Sequence, residues 1–254
     1  IWPNHFAGRN SIGSIGFSRE VWYNAIVAGS PRTLSLASVY KNGTISRRFL
    51  PGKEAKIMKM VKDKQILVGA DFAGYPLKEA VCAHLRKKGW EITDVGVTDP
   101  NTEDTDLMFH RIGLRVGSMI AEGEFERALV FCGTGMGIHI AASKCPHVHA
   151  GVVESVPAAL RAITGNGVNV LAMGAFYVAP QMGCDIADAY LNAELGTGYE
   201  WWKNFYEFHK LAIDELEAFD YEEYKKNGFK VKHLGDYPLS LETKDDLHFQ
   251  LRGD

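Results

Sequence analysis

No stretch of the 254 residues is apolar for long enough to cross a bilayer, and no signal-peptide core stands near the N-terminus. Cysteine is scarce: the four residues at 82, 132, 145 and 184 show no C-x-x-C spacing, and three fall in segments that read as helix. A disulfide framework is thereby excluded, and a reduced, cytoplasmic protein is expected. Charge of one sign is lacking too. The 28 Lys and Arg against 31 Asp and Glu leave a net charge of -3, too little for an electrostatic footprint on nucleic acid or a membrane surface. The nine histidines have no H-x-x-x-H spacing, so no metal site is expected and no cofactor is called for. Repeats and low-complexity tracts are absent as well. The 46% hydrophobic content is ample for a core, in a chain that exceeds one typical domain without requiring two.

What the chain does contain is organised around 128–144, ALVFCGTGMGIHIAASK. An apolar run leads into Cys132, then glycines at 133, 135 and 137, then an alanine-rich segment that reads as helix. Buried strand, glycine turn and helix in that order build an anion site in α/β proteins, because the turn exposes backbone N–H groups and the helix dipole faces them. Cys132 would sit at the strand's C-terminal end, where open parallel sheets bind ligands. Two other readings stay open on these residues alone. A lone Cys also serves as a small buried hydrophobe, and glycine turns also serve dinucleotides. Ile138 stands where G-x-G-x-x-G needs a small residue, however, and no G-K-[ST] follows the turn.

Three further stretches occur in order: VGADFAGYPLKEAV at 68–81, the Thr105-Asp106 pair, and GNGVNVLAMG at 165–174. With CGTGMGIHIAASK at 132–144, this set resembles the type B ribose-5-phosphate isomerase and galactose-6-phosphate isomerase family over roughly 65–217. The resemblance implies an aldose–ketose isomerase acting on a sugar phosphate through an enediolate. No cofactor is implied, and the active sites are shared in a homodimer or homotetramer.

The same resemblance implies roles for single residues. Cys132 is the base that moves a proton between C1 and C2. Gly133, Gly135 and Gly137 hold the developing oxyanion, the kind of contact that supplies the largest catalytic term in many enzymes. Thr134 passes a proton between substrate oxygens, although its hydroxyl is equally suited to capping the next helix. Asp71 contacts a substrate hydroxyl and Asn166 the reacting oxygens; read without the family, one satisfies loop amides and the other turns the chain.

Departures from the family pattern carry information of their own. Phe72 replaces a His that commonly follows the first-strand Asp, and Gly165 replaces the His credited with opening the sugar ring. His110 and His139 are candidate substitutes. The family's phosphate-binding arginines have Phe205, His209 and His149 as their nearest counterparts, with Lys203, Lys210 and Arg161 as other sources of charge. Phe72, His209 and Arg161 therefore join the expected substrate contacts. Lysine is no equivalent of arginine's bidentate fork. The substrate is thus expected to be either a short, open-chain sugar phosphate such as a tetrose phosphate or an unphosphorylated sugar held by aromatic rings. A noncatalytic sugar-phosphate sensor is the alternative from another class.

In chain order, 1–64 reads as an accessory arm. It holds a short helix at 19–28, the form of a β-hairpin turning at Asn42-Gly43, and a basic cluster at Arg47, Arg48 and Lys53. From 65 to 217, strands at 66–70, 91–97, 128–131, 149–153 and 168–173 alternate with helices. That order predicts an α/β, Rossmann-like, doubly wound five-stranded parallel sheet. A long helix is expected over 200–221, with its cluster of Trp201, Trp202, Phe205, Tyr206 and Phe208 at a subunit interface. A C-terminal extension, 218–254, completes the chain.

Overall fold

The computed structural model describes residues 59–236 apart from Lys203. The expected N-terminal helix and hairpin, the basic cluster at Arg47, Arg48 and Lys53, and the tail beyond residue 236 lie outside the described residues.

Five strands form the sheet: β1 (Gln65–Ala70), β2 (Glu91–Asp94), β3 (Ala128–Cys132), β4 (Ala150–Val152) and β5 (Val170–Gly174). All pair in parallel, in the order β2-β1-β3-β5-β4. The crossover helices are α1 (Tyr75–Lys87), α2 (Phe109–Ala121), α3 (Met136–Ala142) and α4 (Val156–Asn166), and α5 (Pro180–Leu191) follows the last strand. The doubly wound sheet expected from the strand–helix alternation is the one found.

Side chains alternate between the faces of each strand, and every β3 and β5 residue is buried. On one face Ile66, Val68, Leu129, Phe131, Leu171 and Met173 pack with residues of α1, α4 and α5. On the other, Leu67, Ala128, Val130, Cys132, Val170 and Ala172 pack beneath α2 and α3. Those two helices meet closely because a Cβ on Gly113 would lie 2.5 Å from Ile138 O, and one on Gly117 would lie 2.7 Å from Ala142 O. The four-residue spacing of these glycines puts both on one helical stripe.

Three differences from the expected elements have local causes. β2 stops at Asp94 because its carboxylate is drawn into the turn. Oδ1 accepts from Gly96 N (2.9 Å), and Oδ2 accepts from the fully buried Lys78 Nζ (2.5 Å), which also donates to Val97 O (2.5 Å). The long helix over 200–221 begins later and ends earlier, as α6 (Phe205–Glu217). Gly196 and Gly198 adopt positive φ (88° and 81°), and the turns that follow carry Trp202 inward. A short helix, α7 (Tyr221–Lys226), stands within the expected C-terminal extension, its N-terminus capped by Asp220. Just before β1, Lys59 is already bound into the fold: it donates to Glu124 O and accepts from Glu126 N, both at 3.0 Å.

Candidate active site

The strand order reverses between β1 and β3, and the crevice outside the C-terminal ends of such neighbours is the ligand site of open α/β sheets. Register fixes what stands there. Gly69 pairs with Val130 and Ala70 with Phe131, so Asp71 continues beside Cys132. Both follow the alternation onto the sheet face covered by α2 and α3. Asp71 N donates to Phe131 O (3.3 Å), and the Asp71 carboxylate accepts from Gly74 N (2.8 Å). A Cβ on Gly74 would come within 2.4 Å of the Phe131 carbonyl, so this loop closes on β3 only with glycine. Asp71 is 5% exposed. Burial pushes its carboxyl above the usual carboxylate range, against the lowering effect of the Gly74 and Ala73 N–H groups.

Cys132 is 4% exposed and unpaired. The turn after it folds back so that Gly135 N donates to Sγ at 3.1 Å. Gly135 takes φ +76°, a left-handed conformation that glycine adopts without strain. Thr134 Oγ1 accepts from Met136 N (3.3 Å), so its hydroxyl caps the first turn of α3. The expected cradle is therefore partly engaged within the turn.

Two aromatic rings unmentioned by any motif flank this turn. A Cβ on Gly133 would meet the Phe176 ring at 2.5 Å, and one on Gly137 the Phe109 ring at 2.6 Å. Phe176 is 70% exposed and Phe72, after Asp71, is 59% exposed. The glycines of the signature are the signal that could have pointed to close neighbours there. His110, beside Phe109, is exposed, and His139 is half-buried on α3.

Asn166, Arg161 and His209 do not join this group. α4 starts beyond the C-terminal end of β4 and runs back to Asn166 before β5 begins at Val170, which leaves Asn166 at the opposite edge of the sheet. With five-residue strands the two edges stand roughly 17 Å apart. Asn166 Nδ2 donates to Arg161 O (3.2 Å). Gly165, Asn166 and His209 line a groove of about 690 Å³. His149, at the same edge, pairs with Glu217 (2.8 Å), and Lys210 pairs with Asp214 (2.6 Å) on the surface of α6.

The aromatic cluster is divided between interior and surface. Trp202 and Phe205 are 3% and 1% exposed, and Tyr199 stacks on Phe205 at 4.0 Å; Trp201 and Tyr206 remain exposed.

The ribose/galactose isomerase family model matches residues 66–202, more than half of the chain. The chain belongs to that family. It is similar to the 4-deoxy-4-sulfo-D-erythrose isomerase of Clostridium sp. (strain MSTE9), with 37% identity over 64% of this chain and 99% of the relative. The D-erythrulose-4-phosphate isomerase of Pectobacterium atrosepticum is 32% identical over 52% of this chain and 86% of its own length. Among solved structures, ribose-5-phosphate isomerase B of Clostridium thermocellum superposes with a TM-score of 0.53 at 32% identity, over 64% of this chain and 99% of that one. As a member of this family the chain is an aldose–ketose isomerase. Among the described residues no helix is long and apolar enough to cross a membrane, and no cluster of His, Cys, Asp and Glu could hold a metal ion.

Proposed function

We infer that the chain interconverts an aldotetrose and a ketotetrose that carry an anionic group on the terminal carbon, with Cys132 as the base. The Cys132 thiolate takes the proton from C2 of the aldose, and the electron pair left behind forms the C1–C2 double bond of an enediolate. The proton moves between O1 and O2 with the help of Thr134, and the thiol then returns its proton to C1. Asp71 accepts from a substrate hydroxyl. The glycine turn faces the developing oxyanion, and its Gly135 N–H holds the sulfur in position.

Gly165 is the observation that carries the substrate class. A tetrose substituted at C4 by phosphate or sulfonate has no O4 free to close a furanose, so it needs no ring-opening imidazole at this position. Relatives named for 4-sulfoerythrose and erythrulose 4-phosphate agree with this reading.

The reading requires two copies of the chain. Cys132 and Asp71 stand at one sheet edge and Asn166 at the other, a separation far longer than a four-carbon chain. A homodimer that sets the first edge of one copy against the second edge of its partner assembles the whole site. The four unpaired cysteines suit a reducing, cytoplasmic setting.

Proton exchange in deuterated water tests the assignment, with erythrose 4-phosphate, 4-deoxy-4-sulfoerythrose and ribose 5-phosphate followed by NMR. Deuterium is expected at C1 or C2 of the four-carbon compounds with wild type and not with Cys132→Ala. Exchange in ribose 5-phosphate alone would refute the substrate class, and exchange undiminished in the variant would refute the base.

A further inference from the structure

Gly133 is buried although it stands beyond the last residue of β3, where the strand has already ended. The three atoms nearest to a Cβ built on it all belong to one side chain, the ring of Phe176, at 2.5, 2.7 and 3.2 Å. That ring is itself 70% exposed, so it covers the glycine turn from the solvent side. A ring left so far in the open gains little from burial, and stability does not explain its place.

The mount of the ring is fixed by main chain. Ala175 N donates to Cys132 O and Phe176 N to Gly133 O, both at 2.9 Å. Tyr177 N and Val178 N both donate to Gly174 O, at 3.0 and 2.9 Å, which closes the turn that carries the ring. A Cβ on Gly174 would lie 2.6 Å from the carbonyl carbon of Thr134, so the end of β5 rests directly against the glycine turn. The backbone therefore holds Phe176 in register with Cys132 and Gly133, and the freedom left to it is rotation of the side chain.

The isomerisation has a use for such a cover. As the C2–H bond breaks an S–H bond forms on Cys132, and the S–H bond breaks again as C1–H forms. Between those two events the proton sits on a thiol, which gives it up to any water that arrives. Excluding water from a site prevents this leakage. We propose that Phe176 is the water shield of the glycine turn, its ring barring solvent from the Cys132 thiol while the proton is carried from C2 to C1. The proposal rests on the reading of Cys132 as the base. Phe176 is a positioning residue in this scheme: it takes no proton, and it decides whether C1 or water receives the one held on sulfur.

Deuterium at C2 of the aldose separates the two fates. The compound is erythrose 4-phosphate, or ribose 5-phosphate should that be the one turned over, converted to low extent by the full-length protein in ordinary water. With wild type, part of the label is expected at C1 of the ketose, read by NMR. Phe176→Ala should lower the transferred fraction severalfold, with the missing label in water, and Phe176→Leu, which keeps an apolar cover, should restore most of it. Both variants should melt close to wild type, because the ring is largely exposed. A ring that merely steadied the fold would alter the melting temperature or kcat and leave the transferred fraction as it was. An unchanged fraction in Phe176→Ala, or complete loss of label to water already in wild type, would overturn the shield. Undiminished isomerisation by Cys132→Ala overturns the base reading instead, and that result is obtained with Phe176 in place.

Discussion

The backbone N–H of Gly135 points at the sulfur of Cys132 from 3.1 Å, so the turn that follows β3 closes on the side chain that ends it. That hydrogen bond holds the sulfur in place at the C-terminal end of β3. Cys132→Ser keeps an acceptor for that N–H but exchanges the thiol for a far weaker acid. Its fold should be retained, with a stability change of about 1 kcal/mol. Its kcat should fall roughly 100- to 10,000-fold, the range expected for loss of a proton-transfer group. Steady-state kinetics alongside denaturant unfolding checks both. A serine variant with near wild-type kcat removes Cys132 from the chemistry.

Asp71 pairs function against stability. Burial raises its carboxyl above the ordinary value of 3.8, despite the N–H groups of Gly74 and Ala73. The folded chain therefore holds this proton more tightly than the unfolded chain does. The resulting stabilisation is present below about pH 3.8 and is lost as pH rises through the raised value, so at neutral pH the ionised group costs stability. Asp71→Asn still offers an oxygen to Gly74. Its melting temperature at pH 7 should equal or exceed that of wild type, while kcat/KM should drop roughly 10- to 100-fold with the lost charged contact. Thermal unfolding at pH 7 decides the first half; a clearly lower melting temperature contradicts it.

The two glycines near the site should respond differently to the same methyl group. At Gly74 the added Cβ meets main chain, 2.4 Å from the Phe131 carbonyl. Backbone in the centre of a sheet cannot yield cheaply, and Gly74→Ala should destabilise by about 1–3 kcal/mol. At Gly133 it meets the ring of Phe176, which is 70% exposed and free to swing outward. Gly133→Ala should cost less, and adding Phe176→Ala should remove most of what it costs. Urea unfolding of Gly74→Ala, of Gly133→Ala and Phe176→Ala alone, and of their double variant tests this through the non-additivity of the pair.

Much of this arrangement was legible in the residue order. Five apolar runs alternating with helical segments are enough for a parallel sheet, and the Cys132 turn declares itself by its glycines. Asp71 could be placed because it directly follows a buried run. Phe176 and Phe109 could not, since what makes them neighbours of the turn is the closeness of main chain at Gly133 and Gly137, a tertiary fact. Arg161 and His209 were legible as candidate contacts but not as a pair. They are 48 positions apart, and only the packing of α6 on α4 brings them over Gly165. Which rings of the aromatic run at 201–208 turn inward was not legible for a related reason: hydrophobicity marks burial, and which rings a chain buries in itself depends on turns such as those at Gly196 and Gly198.

His209 offers a final test, because its protonation opposes the empty fold and assists the occupied one. Burial, joined by the nearby Arg161 charge, lowers its pKa from the ordinary 6.5, against the bond to the Phe205 carbonyl. The folded chain therefore releases this proton more readily than the unfolded chain, and stability is lost as pH falls from about 6.5 through the lowered value. His209→Gln does not titrate, so wild type should lose stability relative to it between pH 7.5 and 5.5. An anion in contact with His209, the contact that the family resemblance implies, reverses the balance, since negative charge favours the imidazolium. Adding sulfate at constant ionic strength should therefore reduce the acid loss in wild type more than in the variant. Denaturant unfolding across this pH range reads both effects. Parallel stability curves for the two proteins, with and without sulfate, would show that His209 is neither strained by burial nor linked to an anion.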